Sequence, residues 1–543
     1  MTSFFIFFKK KIETLSSDYY QRLSAALFFT VILIVGIVSF PDYGISFDEP
    51  VSRDNGGISL KYVLKKFDSS ILANDIELNK LTIPLQDYRD RDYGVVFDLP
   101  IFFIERLMGL NDSRQQYLLR HLCTFLLFFL SGLAIYKAAT IRSGSRVAGL
   151  IAAGMLFFSP RLFAEAFYNN KDIVFLSCST IFLLATTCFI KSPTIIRATL
   201  LGAITGLAID VRITGVVFVV ISLIVMTGLA FARILNIQKY FLISFSYLVT
   251  SLIVTYICWP WLWENPVSHF LIAFKNMAHF RWDNYNLYLG SYIKATALPW
   301  HYSIVWIGFT VPLVYLFYFL LSAIKVSYLV CRDHFHIFEN QRHTQDLAYL
   351  LCAVTPLCAT IALQSTLYDG WRQLYFIYPA IVLLAVSVVP SVLRRVAHLP
   401  VLHGTLVMSI PLQFMACLLW MTYYHPYQNV YFNQLAQTQF EKKFELDYWG
   451  VTNYDCLRYL LLKDPRQKLR VAGLGATSLQ QSVQLLSPTD RSRIELSGDI
   501  ESADYLITNH RFFDGQTASP PGRRWRELYK IVIDDRIVAT IYE

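Results

Sequence analysis

The sequence predicts an all-α polytopic membrane protein of about 11 transmembrane helices, with interfacial helices in its first outer loop and a small C-terminal α/β domain. Three observations predict it. Only 16% of the 543 residues are charged, 55% are hydrophobic and mean hydropathy is +0.42, where a soluble globular chain carries about 25% charge. The apolar residues gather in runs of the roughly 17–25 residues that a bilayer-crossing helix needs. From about residue 445 these runs stop and a polar, mixed tail follows.

Candidate spans lie near 22–40, 117–137, 146–160, 172–190, 195–211, 213–231, 239–258, 303–324, 346–364, 373–391 and 401–423. The third and fifth are short and hold Gly149, Gly154, Gly202 and Gly206, so their boundaries are the loosest. With the N-terminus in the cytoplasm, one side receives Lys9, Lys10 and Lys11, then Lys137, Arg142 and Arg146, then Lys191 and Arg197. Arg233, Lys239, Lys325, Arg332, Arg342, Arg394 and Arg395 fall on that side too, as the positive-inside rule requires. This pattern, rather than a nucleic-acid partner, accounts for the net charge of +9. The first apolar run has no cleavage site after it and is expected to stay as an anchor.

Segments 41–116, 160–171, 259–302, 365–372 and the tail from about 424 then lie on the far side, the periplasm of a bacterium with the chain in its inner membrane. The expected organisation is a cytoplasmic N-terminus (1–21), a transmembrane domain (22–424) and a periplasmic region (425–543). Chemistry is expected in the long outer loops. In the first of them Leu60, Val63, Leu64 and Phe67 recur at helical spacing beside Lys61, Lys65 and Lys66, the pattern of an interfacial amphipathic helix. A second runs through Ile101–Met108. The pair either roofs a lateral lipid entrance or simply anchors the loop. In the tail, strand-like runs at 469–472, 505–508 and 531–533 alternate with helical stretches. Gly473-Leu474-Gly475 follows the first, but Ser478 stands where a dinucleotide fingerprint needs its third glycine, so a tight turn is expected. The nine cysteines contain no CxxC pair and read as small core residues.

Five places hold residues suited to chemistry. Asp48-Glu49-Pro50 puts two carboxylates just past the first span, either as a solvated turn or as a general base whose pKa a nearby apolar lid could raise. Pro50 is expected to hold Glu49 extended. Arg161, Glu165, Lys171 and Asp172 crowd the second outer loop, where cations can grip a phosphate or pair locally to cap the next helix. Arg212 and Arg372 sit in short outer turns, Asp210-Val211-Arg212 and Tyr368-Asp369-Gly370-Trp371-Arg372, facing a shared cavity or snorkelling to headgroups. Segment 259–302 is rich in Trp and Tyr, which suit a membrane-interface belt and also sugar faces, with His301 a phosphate donor.

Asp48-Glu49, Ser159-Pro160-Arg161…Asn170-Lys171-Asp172, Tyr368–Arg372…Pro379, Tyr424–Asn433 and Asp447–Gly450, in this order and on one side, resemble the integral-membrane glycosyltransferases that include protein O-mannosyltransferases and the lipid A aminoarabinose transferase, the GT-C fold class (glycosyltransferase family 39-like). The resemblance covers most of residues 20–450. It implies transfer of a sugar from a polyprenyl-phosphate donor to a periplasmic glycan, lipid or protein acceptor. Asp48 would be base or orienting carboxylate and Glu49 its partner. Arg161, Lys171, Arg212 and Arg372 would neutralise the departing phosphate, with Asp172, His301 and Tyr368 in support. No organic cofactor is implied. A divalent metal on the paired carboxylates stays open, because no second acidic cluster with ligand spacing accompanies them. The alternative is a lipid or glycan transporter or flippase, against which stands the near absence of charge from the centres of the spans.

Overall fold

A computed structural model describes residues 2–278, 280, 282–436, 442–475, 477–512, 520 and 525–543, with side chains from residue 18 onward apart from Ala278. Among the described residues nine helices are long and apolar enough to cross a membrane: Asp18–Asp42, Ser113–Ser143, Asp172–Lys191, Ile213–Phe231, Ile237–Cys258, Leu313–Glu339, Gln341–Ala362, Arg372–Arg395 and Pro400–Tyr423. The predicted class, a polytopic helical membrane protein with a small C-terminal sheet region, is what is observed. Three of the eleven expected spans differ in detail, each for a local reason.

The expected span at 146–160 ends at Phe157, and after Ser159 the chain bends by 67° into a second helix, Pro160–Tyr168. Proline starts a helix readily because its missing N–H falls where no intrahelical partner exists. All nine residues of that second helix are buried, so the expected second outer loop is packed structure and not an open loop. The expected span at 303–324 is two helices, Tyr302–Thr310 and Leu313–Asp333, broken at Pro312. Ile195–Val211 is a 17-residue helix lying against Ile237–Cys258. A Cβ at Gly202 would stand 2.4 Å from the Tyr247 carbonyl oxygen, and one at Gly206 2.7 Å from that of Ser251. The glycines that blurred this span in the sequence are there to let two backbones approach.

The first outer segment forms helices Asp48–Lys66 and Asp98–Leu107, which pack on each other. Leu60, expected to face lipid, is buried against Leu78 and Phe102, while Phe67, Leu107 and Met108 stay exposed. Arg53 binds Glu105 at 2.6 Å and ties the two helices together.

The tail holds five strands, which follow a hairpin (β1 Tyr285–Tyr288, β2 Ser291–Lys294) in chain order: β3 Leu469–Gly473, β4 Ile494–Leu496, β5 Tyr505–Thr508, β6 Glu527–Ile533 and β7 Arg536–Tyr542. Their order is β4-β3-β5-β7-β6, with β3 parallel to both neighbours and β7 antiparallel to both of its own. Asp534 and Asp535, both at positive φ, turn β6 into β7 as a two-residue hairpin loop. A Cβ on Gly473 would meet the Thr477 carbonyl at 2.2 Å and Gly475 has φ +73, the tight turn expected there. The tail docks on the membrane body where Ser113 Oγ donates to the Gln484 carbonyl (2.8 Å) and Arg491 binds Asp112 (3.0 Å).

Candidate active site

Asp48 and Glu49 open the helix that follows the first span. Neighbouring residues on a helix point about 100° apart, so the two carboxylates diverge. Glu49 is fully buried, accepts a hydrogen bond from the Ser46 amide (2.8 Å) and lies 3.0 Å from Nε2 of His121. It is therefore turned away from Asp48 and does not share its site. The expectation of an extended Glu49 also fails, because Pro50 stands in a first helical turn, where proline is tolerated.

Asp48 faces the other way. Its Oδ2 accepts from Arg372 at 2.8 Å, and the same guanidinium reaches Asp172 at 3.2 Å and Asp369 at 3.3 Å. Its plane lies 4.8 Å from the Tyr368 ring and 4.4 Å from that of Trp449. Asp172, at the start of Asp172–Lys191 and capped by Asn169, also binds Arg212 from the turn after Ile195–Val211. Lys171 lies 4.0 Å above the Tyr93 ring. Tyr368 itself stacks on Trp282 at 4.6 Å. Helix ends from four places in the chain thus deliver Asp48, Lys171, Asp172, Arg212, Tyr368 and Arg372 to one cluster.

Besides Glu49, two of the predicted residues stand apart. Arg161 donates to the Tyr431 carbonyl (2.9 Å) and lies over Phe432, because the buried Pro160–Tyr168 helix turns it toward that segment. His301 is bonded to the Tyr288 hydroxyl through Nδ1 at 2.6 Å.

The sequence reading missed Asp369 as a member and missed Arg511 altogether. Arg511 binds Asp369 at 2.6 Å and the Tyr448 carbonyl at 2.7 Å. It follows β5, a strand parallel to β3, and the carboxyl ends of parallel strands are where such sheets place functional side chains. That signal was available.

Burial alone would raise the Asp48 pKa, but the charges of Arg372 and Lys171, then Arg212, outweigh it and hold the carboxyl below its usual value. Asp369 goes the other way: burial raises it despite Arg511 and Arg372. Lys171, Arg212, Arg372 and Arg511 thus stand among Asp48, Asp172 and Asp369, with Glu445 also facing Arg511 and Asp98 facing Lys171. Metal ligation does not suit it as arranged. Asp48 and Asp172 could share an ion, but the Arg372 guanidinium already bridges them, and no group of three His, Cys, Asp or Glu with ligand geometry occurs among the described residues.

Beside the cluster runs an apolar recess of about 280 Å³, lined by Val216, Val217, Phe274, Met277 and Leu363, with Tyr93, Arg212 and Tyr368 at its polar end.

No family model and no curated protein matches the chain in sequence. Several solved structures superpose weakly on it. The archaeal oligosaccharyltransferase AglB from Archaeoglobus fulgidus, in complex with an inhibitory peptide and a dolichol-phosphate, gives a TM-score of 0.49 at 9% identity over 89% of this chain and 69% of that one. ArnT from Cupriavidus metallidurans, bound to undecaprenyl phosphate, gives 0.44 at 12% identity over 95% and 97%. Both scores lie below one half. The reading of the site therefore rests on its own geometry.

Proposed function

We propose that this chain is a membrane-embedded glycosyltransferase of the GT-C type, taking a sugar from a polyprenyl-phosphate donor and passing it to a hydroxyl or amine of a glycan, lipid or protein acceptor on the non-cytosolic face. One observation carries the reading: Arg372, Lys171 and Arg212 gather around Asp48 where Arg212 and Tyr368 meet an apolar recess. A donor of this class has the matching halves, an isoprenoid for Val216, Val217 and Phe274, and a phosphate for Arg212, Arg372 and Lys171.

In the reaction the acceptor heteroatom attacks the anomeric carbon as the bond from that carbon to the phosphate oxygen breaks. The electron pair leaves with the lipid phosphate, whose growing charge Arg372, Arg212 and Lys171 stabilise. Asp48 orients the acceptor and takes its proton. Held by Arg372, Asp48 is a weak base. A donor phosphate that draws Arg372 away raises the basicity of Asp48 when it is needed. In this reading 1–21 is cytoplasmic, 22–424 is the catalytic membrane domain, 425–543 is periplasmic and the membrane is a bacterial inner membrane. The basic helix ends on the opposite face from Asp48 support that sidedness.

The test is Asp48→Asn in purified protein with a radiolabelled polyprenyl-phosphate sugar. Loss of transfer with thermal stability retained is expected, and unchanged turnover removes Asp48 as the base. Movement of the lipid across proteoliposomes with no covalent product would favour a transporter instead.

A further inference from the structure

At the far end of the same helices, cations outnumber the carboxylates beside them among the described residues. Arg394 and Arg395 close the segment that begins at Arg372, roughly 33 Å away at 1.5 Å per residue. Two cavities, of about 780 and 400 Å³, share Lys325, Ser391 and Arg394. The larger is also lined by Arg395, the smaller by Arg142, Arg342 and His343. Asp346 takes Arg142 in a two-pronged pair at 2.7 and 2.5 Å and acts by charge on Lys325 and His343, as Asp333 does on His343. Lys325, Arg342, Arg394 and Arg395 form no salt bridge among the described residues. Positive-inside residues ordinarily sit on open surface. Here Arg394 and Arg395, both exposed, rim a concavity with the half-buried Lys325, where their mutual repulsion favours an anion. The remaining wall of the larger cavity is largely apolar, made by Leu321, Ile324, Val388 and Val392 together with Tyr328.

We infer that this recess seats an acidic phospholipid of the leaflet opposite the Asp48 site, its phosphate between Lys325, Arg394 and Arg395 and its acyl chains along Leu321, Ile324, Val388 and Val392. Charge complementarity selects an anion, and the apolar wall selects a lipid over free phosphate. The inference does not depend on the transfer reaction.

The full chain in mild detergent is incubated with phosphatidylglycerol or phosphatidylcholine, and retained lipid is counted by native mass spectrometry. Wild type is expected to retain phosphatidylglycerol preferentially. The triple variant Lys325→Gln, Arg394→Gln, Arg395→Gln is expected to lose at least about tenfold of that retention, in line with the worth of three basic contacts to an anionic headgroup. A control that removes the same charge from the same face outside the recess, Lys191→Gln, Arg233→Gln, Lys239→Gln, is expected to retain it. Equal loss in the control, no preference in wild type, or displacement by millimolar inorganic phosphate would each overturn the assignment. If the triple variant proves unfolded by its melting profile, the exposed Arg395→Gln alone is read, with a weaker loss expected and no loss counting against the site.

Discussion

Replacing Arg372 by lysine separates charge from geometry in the cluster. The guanidinium serves Asp48, Asp172 and Asp369 at 2.8, 3.2 and 3.3 Å. An ammonium keeps the charge and three donors but gathers them on one nitrogen without the planar fork. It therefore cannot span Asp48 and Asp172 on one side and Asp369 on the other, or two phosphate oxygens side by side, as the two terminal nitrogens of Arg372 do. A charge-assisted hydrogen bond contributes about 1.5–3 kcal/mol. Losing two of them to the departing phosphate costs about 3–6 kcal/mol in the transition state, or roughly 10²- to 10⁴-fold in kcat. Stability should suffer far less. Breaking a buried pair outright costs roughly 3–5 kcal/mol because a charge is stranded, but here Asp172 keeps Arg212 and Asp369 keeps Arg511. The assay is steady-state transfer from a radiolabelled polyprenyl-phosphate sugar, with thermal unfolding run alongside. A kcat within threefold of wild type would refute the fork argument, and a protein that no longer folds would refute the claim that the neighbouring arginines compensate.

Three further outcomes are expected. Burial pushes the Glu445 carboxyl up to about 7 against the opposing charge of Arg511; a carboxyl that is easier to protonate when folded contributes stability fully below about pH 4.5 and loses it as pH rises through 7. Thermal unfolding across that window should therefore show a falling midpoint in wild type and a flatter one in Glu445→Gln, and parallel curves would dismiss the assignment. Gly94→Ala places a Cβ 2.0 Å from the Asp210 carbonyl oxygen, an overpacking cost of about 1–3 kcal/mol, to be read as a lowered melting temperature. Arg511→Met leaves Asp369 to Arg372 alone; transfer should fall while the described membrane helices stay intact by circular dichroism, and full activity would show that the tail's arginine is dispensable.

Much of this was legible beforehand because bilayer thickness dictates run length, and every apolar run became helix. What escaped depended on local chemistry. Pro312 broke a span expected to be continuous, and the buried helix that starts at Pro160 stands where an outer loop was expected. Gly202 and Gly206 weakened a helix signal while serving a contact that only the partner helix explains. Lys171, Asp172, Arg212 and Arg372 could be grouped with Asp48 from sidedness, since short loops on one face share little area. Which way each side chain turns could not, and Glu49, Arg161 and His301 face elsewhere. Arg511 lies 142 residues from its partner Asp369, so spacing could not join them, although its place just after the strand-like run 505–508 could have marked it as a candidate.

One arginine shared by three acids also has a bearing on selectivity. An incoming anion does not meet a vacant cation; it must displace carboxylates already seated on Arg372. A small mobile anion arrives with nothing to hold it there during that contest, whereas a ligand tethered by a long hydrocarbon chain competes at high local concentration. Ambient phosphate should therefore be a poor inhibitor, and crowding by lipid-bound headgroups an effective one.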